Sequence, residues 1–278
     1  MIRRWIWEIT AIALILLTCG YIYGAKIEPN WIEIVEIDLA IPHLSPAFAD
    51  YKLVQISDLH QDRFMPESRW QRIIKLVNQQ HPDAIAITGD FVSGYHHFNQ
   101  QQLTQHLSQL SSRDGTFAVL GNHDHQGNAE VKLKQILSDS QINNLDNQVN
   151  ILQKNQAQLV IAGIDDPYWG KPDLDRVLSQ LPPDVPAILL VHEPDYIEQI
   201  AQTNKFVLQL SGHSHGGQIR LPFVNPPILP RWGQKYFAGL HQVQNTLEYT
   251  NRGLGMTKIP IRIASRPEIT VFTFKSQA

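Results

Sequence analysis

The residues best suited to chemistry in this 278-residue chain are aspartates and histidines that follow short apolar runs. Residues 52–57 lead into Asp58-Leu59-His60, residues 84–88 into Gly89-Asp90, and residues 116–120 into Gly121-Asn122-His123-Asp124. Residues 187–191 lead into His192-Glu193-Pro194, and 206–210 into Ser211-Gly212-His213-Ser214-His215-Gly216-Gly217. Asp58, His60, Asp90, Asn122, His192, His213 and His215 offer nitrogen and oxygen donors and no sulfur, a set that suits Mn, Zn or Fe. Seven donors exceed one four-coordinate ion. With one carboxylate shared they form two sets of four, the composition of a two-metal site with ions about 3.5–4 Å apart. Taken singly, Asp58 and Asn122 also suit capping turns and His192 a core histidine. The His213/His215 pair resists that reading, because alternate strand residues share a face.

These residues need elements that bring them together. The runs above, with 158–163, are short and mostly apolar, as buried strands are. Helical patterns lie between them at 66–80, 98–110, 129–137, 174–181 and 196–201; in the first, Trp70, Ile73, Ile74 and Val77 share a face. Such alternation predicts an α/β domain, in which ligands bind at the carboxyl ends of the strands. A leading strand is expected over 31–41, followed by a loop at Pro42 and Pro46. The tail carries strand patterns at 247–249, 259–263 and 269–274 without helices between them, which predicts an antiparallel addition to a sheet.

Asp58-x-His60, Gly89-Asp90, Gly121-Asn122-His123-Asp124, His192 and Gly212-His213-x-His215 together resemble the calcineurin-like metallophosphoesterases, from about Tyr51 to the C-terminus. Gly212-His213-Ser214-His215-Gly216-Gly217-Gln218, Asn251-Arg252-Gly253-Leu254-Gly255 and Arg266-Pro267-Glu268-Ile269 are similar to the small bacterial membrane- or cell-wall-associated phosphodiesterase branch. The resemblance implies a two-sheet α/β/β/α sandwich and a binuclear centre. It places Asp58, His60, Asp90 and His215 on one ion, and Asp90, Asn122, His192 and His213 on the other. It also makes His123 a catalytic group beside the substrate phosphate, with Asp58 and Asp90 completing the catalytic set. The implied reaction is hydrolysis of phosphate esters, with phosphodiesters expected, by a metal-bridging hydroxide. An alternative is hydrolysis of a nucleotide-linked lipid diphosphate of the UDP-diacylglucosamine type. The alternative of another class is a metal-free interaction module on the same fold, which lost ligands would support; here all are present. Asp124 is a candidate to orient His123, from adjacency alone.

Residues 9–24 carry no charge, and with Trp5, Ile6 and Trp7 they make an apolar helix of about 20 residues, enough to cross a bilayer. Trp5 and Trp7 at one end and Tyr21 and Tyr23 at the other fit two interfacial belts. Arg3 and Arg4 precede the segment and acids follow it. Residues 1–26 are therefore expected to be a signal-anchor in the cytoplasmic membrane, single-pass, with the rest outside. Thr18-Cys19-Gly20 is a poor cleavage site, Glu8 is out of character for a twin-arginine signal, and Thr18 fits a lipoprotein box badly. The expected organisation is this anchor, a leading strand and loop over 27–50, and a metallophosphoesterase domain over 51–278.

Composition narrows the partners. A net charge of −3 with no basic tract argues against a phosphate-backbone binder, and one cysteine excludes an internal disulfide. Charged residues are 18% and 26 glutamines fill part of the gap, so the surface is polar but weakly charged. The chain is expected to act as a monomer on a small-molecule, lipid or envelope phosphoester. Of the remaining histidines, His96, His97 and His125 are candidates to line a substrate groove. His43, His81, His106 and His241 are read as surface or loop residues. Arg252 suits either a phosphate contact or an ion pair.

Overall fold

The computed structural model describes residues 2–94, 98–127, 129–221 and 223–276. His96 and His97 lie outside them. The elements in chain order are α1 (Ile2–Ile22), β1 (Glu33–Ile41), β2 (Lys52–Ile56), α2 (Glu67–Asn78), β3 (Ala84–Thr88) and α3 (Gln100–Leu107). Then come β4 (Thr116–Val119), α4 (Ala129–Asp139), β5 (Ile142–Asn144), β6 (Gln148–Lys154), β7 (Ala157–Gly163), α5 (Leu174–Gln180) and β8 (Ala187–Leu190). The short α6 (Ile197–Ile200), β9 (Leu208–Ser211), β10 (Gly239–Val243), β11 (Thr246–Thr250) and β12 (Glu268–Ser276) complete the chain.

The strands form two six-stranded mixed sheets, ordered β1-β12-β2-β3-β4-β5 and β10-β11-β9-β8-β7-β6. Strand periodicity builds the layers, because successive side chains point to opposite faces. Leu53, Ala84, Ala86, Phe117 and Val119 face Leu159, Ile161, Ile188, Leu190, Leu208 and Leu210 across one core between the sheets. Their neighbours Val54, Ile56, Ile85 and Ile87 pack under α2, α3 and α4. Val160, Ala162, Ala187 and Leu189 pack with Val177 of α5 and with Ile197 and Ile200 of α6. The result is an α/β/β/α sandwich.

The tail departs from its expected form. Residues 246–250 join β9 in parallel and β10 in antiparallel pairing. Residues 268–276 are antiparallel to β2 but parallel to β1, so they lie inside the sheet with β1 as its edge strand. Residues 259–263 form no strand; only Ile263 bridges Ile219. Their apolar side chains serve another purpose, since Ile261 and Ile263 lie against Gly24 below α1.

Helix α1 is long and apolar enough to cross a membrane, and none of its apolar window is buried against the body. Arg4 and Glu8 pair at 3.0 Å, which offsets the one charge inside the segment. Below α1 the chain turns back at once. The Arg262 N–H donates to the Gly24 carbonyl (2.9 Å), and the buried Glu28 carboxylate accepts the Ser265 N–H (2.6 Å).

Candidate metal centre

The carboxyl ends of β2, β3 and β4 in one sheet meet those of β8 and β9 in the other. Asp58, His60, Asp90, His213 and His215 all leave their strands with positive φ, between 45° and 69°. Few non-glycine residues adopt this conformation, and it concentrates at functional sites. The turns are also tightly packed. A Cβ on Gly121 would lie 2.7 Å from the Asp90 nitrogen and 2.8 Å from His192 Cδ2.

Six of the seven sequence-predicted donors converge, and the seventh, Asn122, lines the cavity beside Asp90. His215 Nε2 lies 3.3 Å from Asp58 Oδ1 and 3.1 Å from His60 Nε2. Asp90 Oδ2 lies 3.5 Å from His60 Nε2 and 3.2 Å from His192 Nε2, between the two halves of the cluster. Asp58, His60 and His215 form one group of mutually close donor atoms, and Asp58, Asp90 and His192 a second. His192, Glu193 and His213 form a third.

Hydrogen bonds set the imidazole tautomers. His192 Nδ1 donates to the Thr88 carbonyl (2.6 Å), which leaves Nε2 facing the cluster. His213 Nε2 donates to the Arg231 carbonyl (2.8 Å), which presents Nδ1 instead. Outer partners of this kind are what metal-binding histidines use. Asn122 Oδ1 and both Glu193 oxygens are buried without a hydrogen-bond partner, and His192 Nε2 faces Asp90 Oδ2 at 3.2 Å. Buried acceptors left unpaired are costly, so the donor set fits a cation.

Charge supports the same fit. Burial lowers His60 to about 3 and His213 to about 4, and holds His215 well below the usual range. These three imidazoles are therefore neutral near pH 7, the form that binds metal. Burial raises Asp58 to about 6, partly opposed by His192. For Asp90 burial pushes upward, but His192, His123 and His60 together hold the carboxyl well below its usual range. His192 also resists burial: Asp90 and then Asp58 raise it well above the histidine range. The two carboxylates thus demand positive charge between them.

His123 lies at the rim. Its N–H donates to Asp90 Oδ1 (2.9 Å) and its Nδ1 accepts from Gln126 (3.3 Å). Asp124 does not orient it. The Asp124 carboxylate accepts the N–H groups of Phe91, Val92 and Gly121 at 2.9–3.2 Å, tying the Asp90 and Asn122 loops together. A cavity of about 510 Å³ opens above the cluster, lined by Asn122, His123, Tyr168, Trp169, Ile228 and Ile259 among others. His125 does not line it, and pairs with Asp165 (2.9 Å) and Glu130 (3.3 Å). Arg252 binds Glu268 and Glu33 rather than facing the cavity. His106, expected at the surface, is buried on α3, stacked on Trp70 and paired with Glu67 at 2.7 Å.

Sequence reasoning missed four contributors. Glu193 follows His192 directly, and burial and then Asp166 push its carboxyl well up. Asp165 and Asp166 sit just beyond the end of β7, which lies between the donor strands in sequence. Asp166 Oδ2 accepts the Gly170 N–H (3.1 Å) and so holds the Tyr168–Trp169 turn at the cavity wall. Arg262 is fully buried and donates to the carbonyls of Arg252, Gly253, Gly255 and Ser265 at 2.7–3.2 Å. An aspartate pair at a strand end was a legible signal; a lone arginine in an apolar stretch was not.

Two mixed sheets with an Asp/His cluster where their strand ends meet define a metal-dependent hydrolase. Residues 51–217 match the calcineurin-like phosphoesterase family, and the chain belongs to that family as a phosphoester hydrolase. It is 38% identical over 262 residues to the uncharacterized metallophosphoesterase YkuE of Bacillus subtilis, covering 92% of this chain and 90% of that one. It is 32% identical to the phosphodiesterase YaeI of Escherichia coli, covering 97% of both chains. It is also 26% identical to the UDP-2,3-diacylglucosamine pyrophosphatase LpxG of Chlamydia muridarum, over 90% of this chain and 92% of that one.

Proposed function

We propose that the chain hydrolyses phosphodiesters at a binuclear centre. Asp58, His60, Asp90 and His215 would hold one divalent ion. Asp90, Asn122, His192 and His213 would hold the other, with Asp90 shared. The observation that carries this reading is the convergence of buried donor atoms, several unpaired, on Asp90. When bound, two divalent ions such as Mn, Zn or Fe neutralise the phosphate and supply water activated near neutral pH. The protein's own groups do the rest. With Nδ1 accepting from Gln126, His123 carries its proton on Nε2 and can deliver it to the leaving oxygen. Asp90 anchors that residue through its backbone N–H. The family relative named as a phosphodiesterase supports the diester. The apolar residues in the cavity wall and the LpxG relative favour a second reading, a nucleotide-linked lipid diphosphate.

We read the chain as a monomer with an anchor over residues 1–26, a leading strand and loop over 27–50, and a catalytic domain over 51–278. That domain would lie outside the cytoplasmic membrane. The test of the chemistry compares bis(p-nitrophenyl) phosphate with p-nitrophenyl phosphate, each with Mn²⁺ added. The diester is expected to turn over faster. His123→Ala is expected to keep its metal but lose turnover by about 10²–10⁴-fold, the usual worth of a positioned acid. Faster hydrolysis of the monoester would overturn the diester assignment, and full activity in His123→Ala would remove that residue from the mechanism.

A further inference from the structure

We infer that the face beside the cavity mouth docks on the bilayer that holds α1, so that the centre works on phosphoesters carried by lipids of that membrane. The inference rests on the phosphoesterase reading of the same cavity. Its first support is an exposed apolar strip. Leu221, Val224, Ile228 and Ile259 are 45–61% exposed and Phe223 is fully exposed, while Ile228 and Ile259 also line the cavity. Scattered apolar residues on a surface are ordinary, but a contiguous group at a site mouth marks an interaction surface.

The second support is continuity with the anchor. Ile261 and Ile263 lie against Gly24 at the base of α1, and the Arg262 N–H is bonded to the Gly24 carbonyl. Ile263 bridges Ile219, and the Arg220 N–H donates to the Ile263 carbonyl. At about 3.3 Å per residue, Leu221 then lies within roughly 15 Å of the anchor's base. An apolar strip this near the end of a spanning helix is within reach of the membrane interface.

The third support is charge. The chain as a whole carries −3, yet from Gln199 to Pro267 its only acid is Glu248, against eight lysines and arginines; Arg262 is buried and Arg252, Arg266 and Lys235 pair with Glu33, Glu268 and Glu198, so the excess rests on Lys205, Arg220, Arg231 and Lys258. Glu248 is fully buried. Arg231 and Lys258 line the cavity mouth, and Arg266 stacks on the exposed Trp31 just beyond α1. Cations among aromatic and aliphatic side chains suit a surface of anionic headgroups, where apolar groups enter the acyl boundary. A soluble substrate would need no such rim.

The test uses the full chain with Cys19→Ser in nanodiscs of phosphatidylethanolamine and phosphatidylglycerol, since Cys19 is the sole cysteine. A nitroxide is attached at Phe223→Cys, at Ile259→Cys and, as a reference, at Gln156→Cys in the exposed β6–β7 turn at the opposite strand ends. Docking is expected to raise the ratio of relaxation by oxygen to relaxation by a water-soluble nickel chelate several-fold at 223 and 259 over 156. Equal ratios at all three sites would overturn the inference. So would shielding from both relaxants at 223 and 259, which would place a second copy of the chain there. Depth is read without turnover, so inactive protein with deep labels would uphold the docking face while sinking the catalytic reading.

Discussion

Asp90→Asn is expected to lower phosphodiester turnover by roughly a thousandfold or more, about 4 kcal/mol of transition-state stabilisation. Asp90 is the group that both halves of the cluster share. One oxygen lies 3.5 Å from His60 Nε2 and 3.2 Å from His192 Nε2, while the other accepts the His123 N–H at 2.9 Å. An asparagine removes the charge and replaces one acceptor with a donor, so both proposed ion sites weaken at once. Metal content should fall in parallel, with the circular dichroism spectrum unchanged. Asp58→Asn is expected to be milder at the second site, because the nearest imidazole to Asp58, at 3.3 Å, is His215 of the first. Wild-type turnover by Asp90→Asn would remove the shared carboxylate from the mechanism.

Arg262→Leu is expected to destabilise the fold by about 3–5 kcal/mol, because it deletes a buried charge that other groups are arranged to receive. That corresponds to a fall in Tm of about 10 °C for a chain of this size. Four carbonyls would lose their donor in a region without water access. The damage reaches the metal centre through the loop that these carbonyls belong to. The Leu254 N–H donates to the Ser57 carbonyl (3.0 Å) and the Gly255 N–H to the Asp58 carbonyl (2.6 Å). That loop sets where Asp58 and His60 point. Arg262→Lys should recover little, since an ammonium cannot match the planar fork. Thermal unfolding of the detergent-solubilised protein checks this, and a shift under about 2 °C would contradict it.

The donor residues were legible because each follows a nearly uninterrupted apolar run, the signature of a strand buried on both faces. Two facts stayed hidden. Residues 58, 60, 90 and 122 belong to one sheet and residues 192, 213 and 215 to the other, and no periodicity reveals which strands pair. The amphipathic edge strands β6 and β10 were also missed, because one face of each meets solvent and no continuous apolar run results. His106 misled because its environment is tertiary: Trp70 and Glu67 come from α2, far from it in sequence. Residues 259–263 misled in the opposite sense. Their alternation reads as a strand, but Ile261 and Ile263 seat the base of α1 while Arg262 points into the core. Asp124 shows the limit of adjacency, since its hydrogen bonds go to loop backbone rather than to the neighbouring imidazole.

The most direct test strips purified protein with a chelator, then titrates Mn²⁺ back while metal per chain and bis(p-nitrophenyl) phosphate hydrolysis are recorded together. Two ions bound per chain are expected, with activity absent from the stripped protein and returning as the second ion binds. Hydrolysis that survives stripping, or full activity with one ion bound, would contradict a binuclear centre built on Asp90.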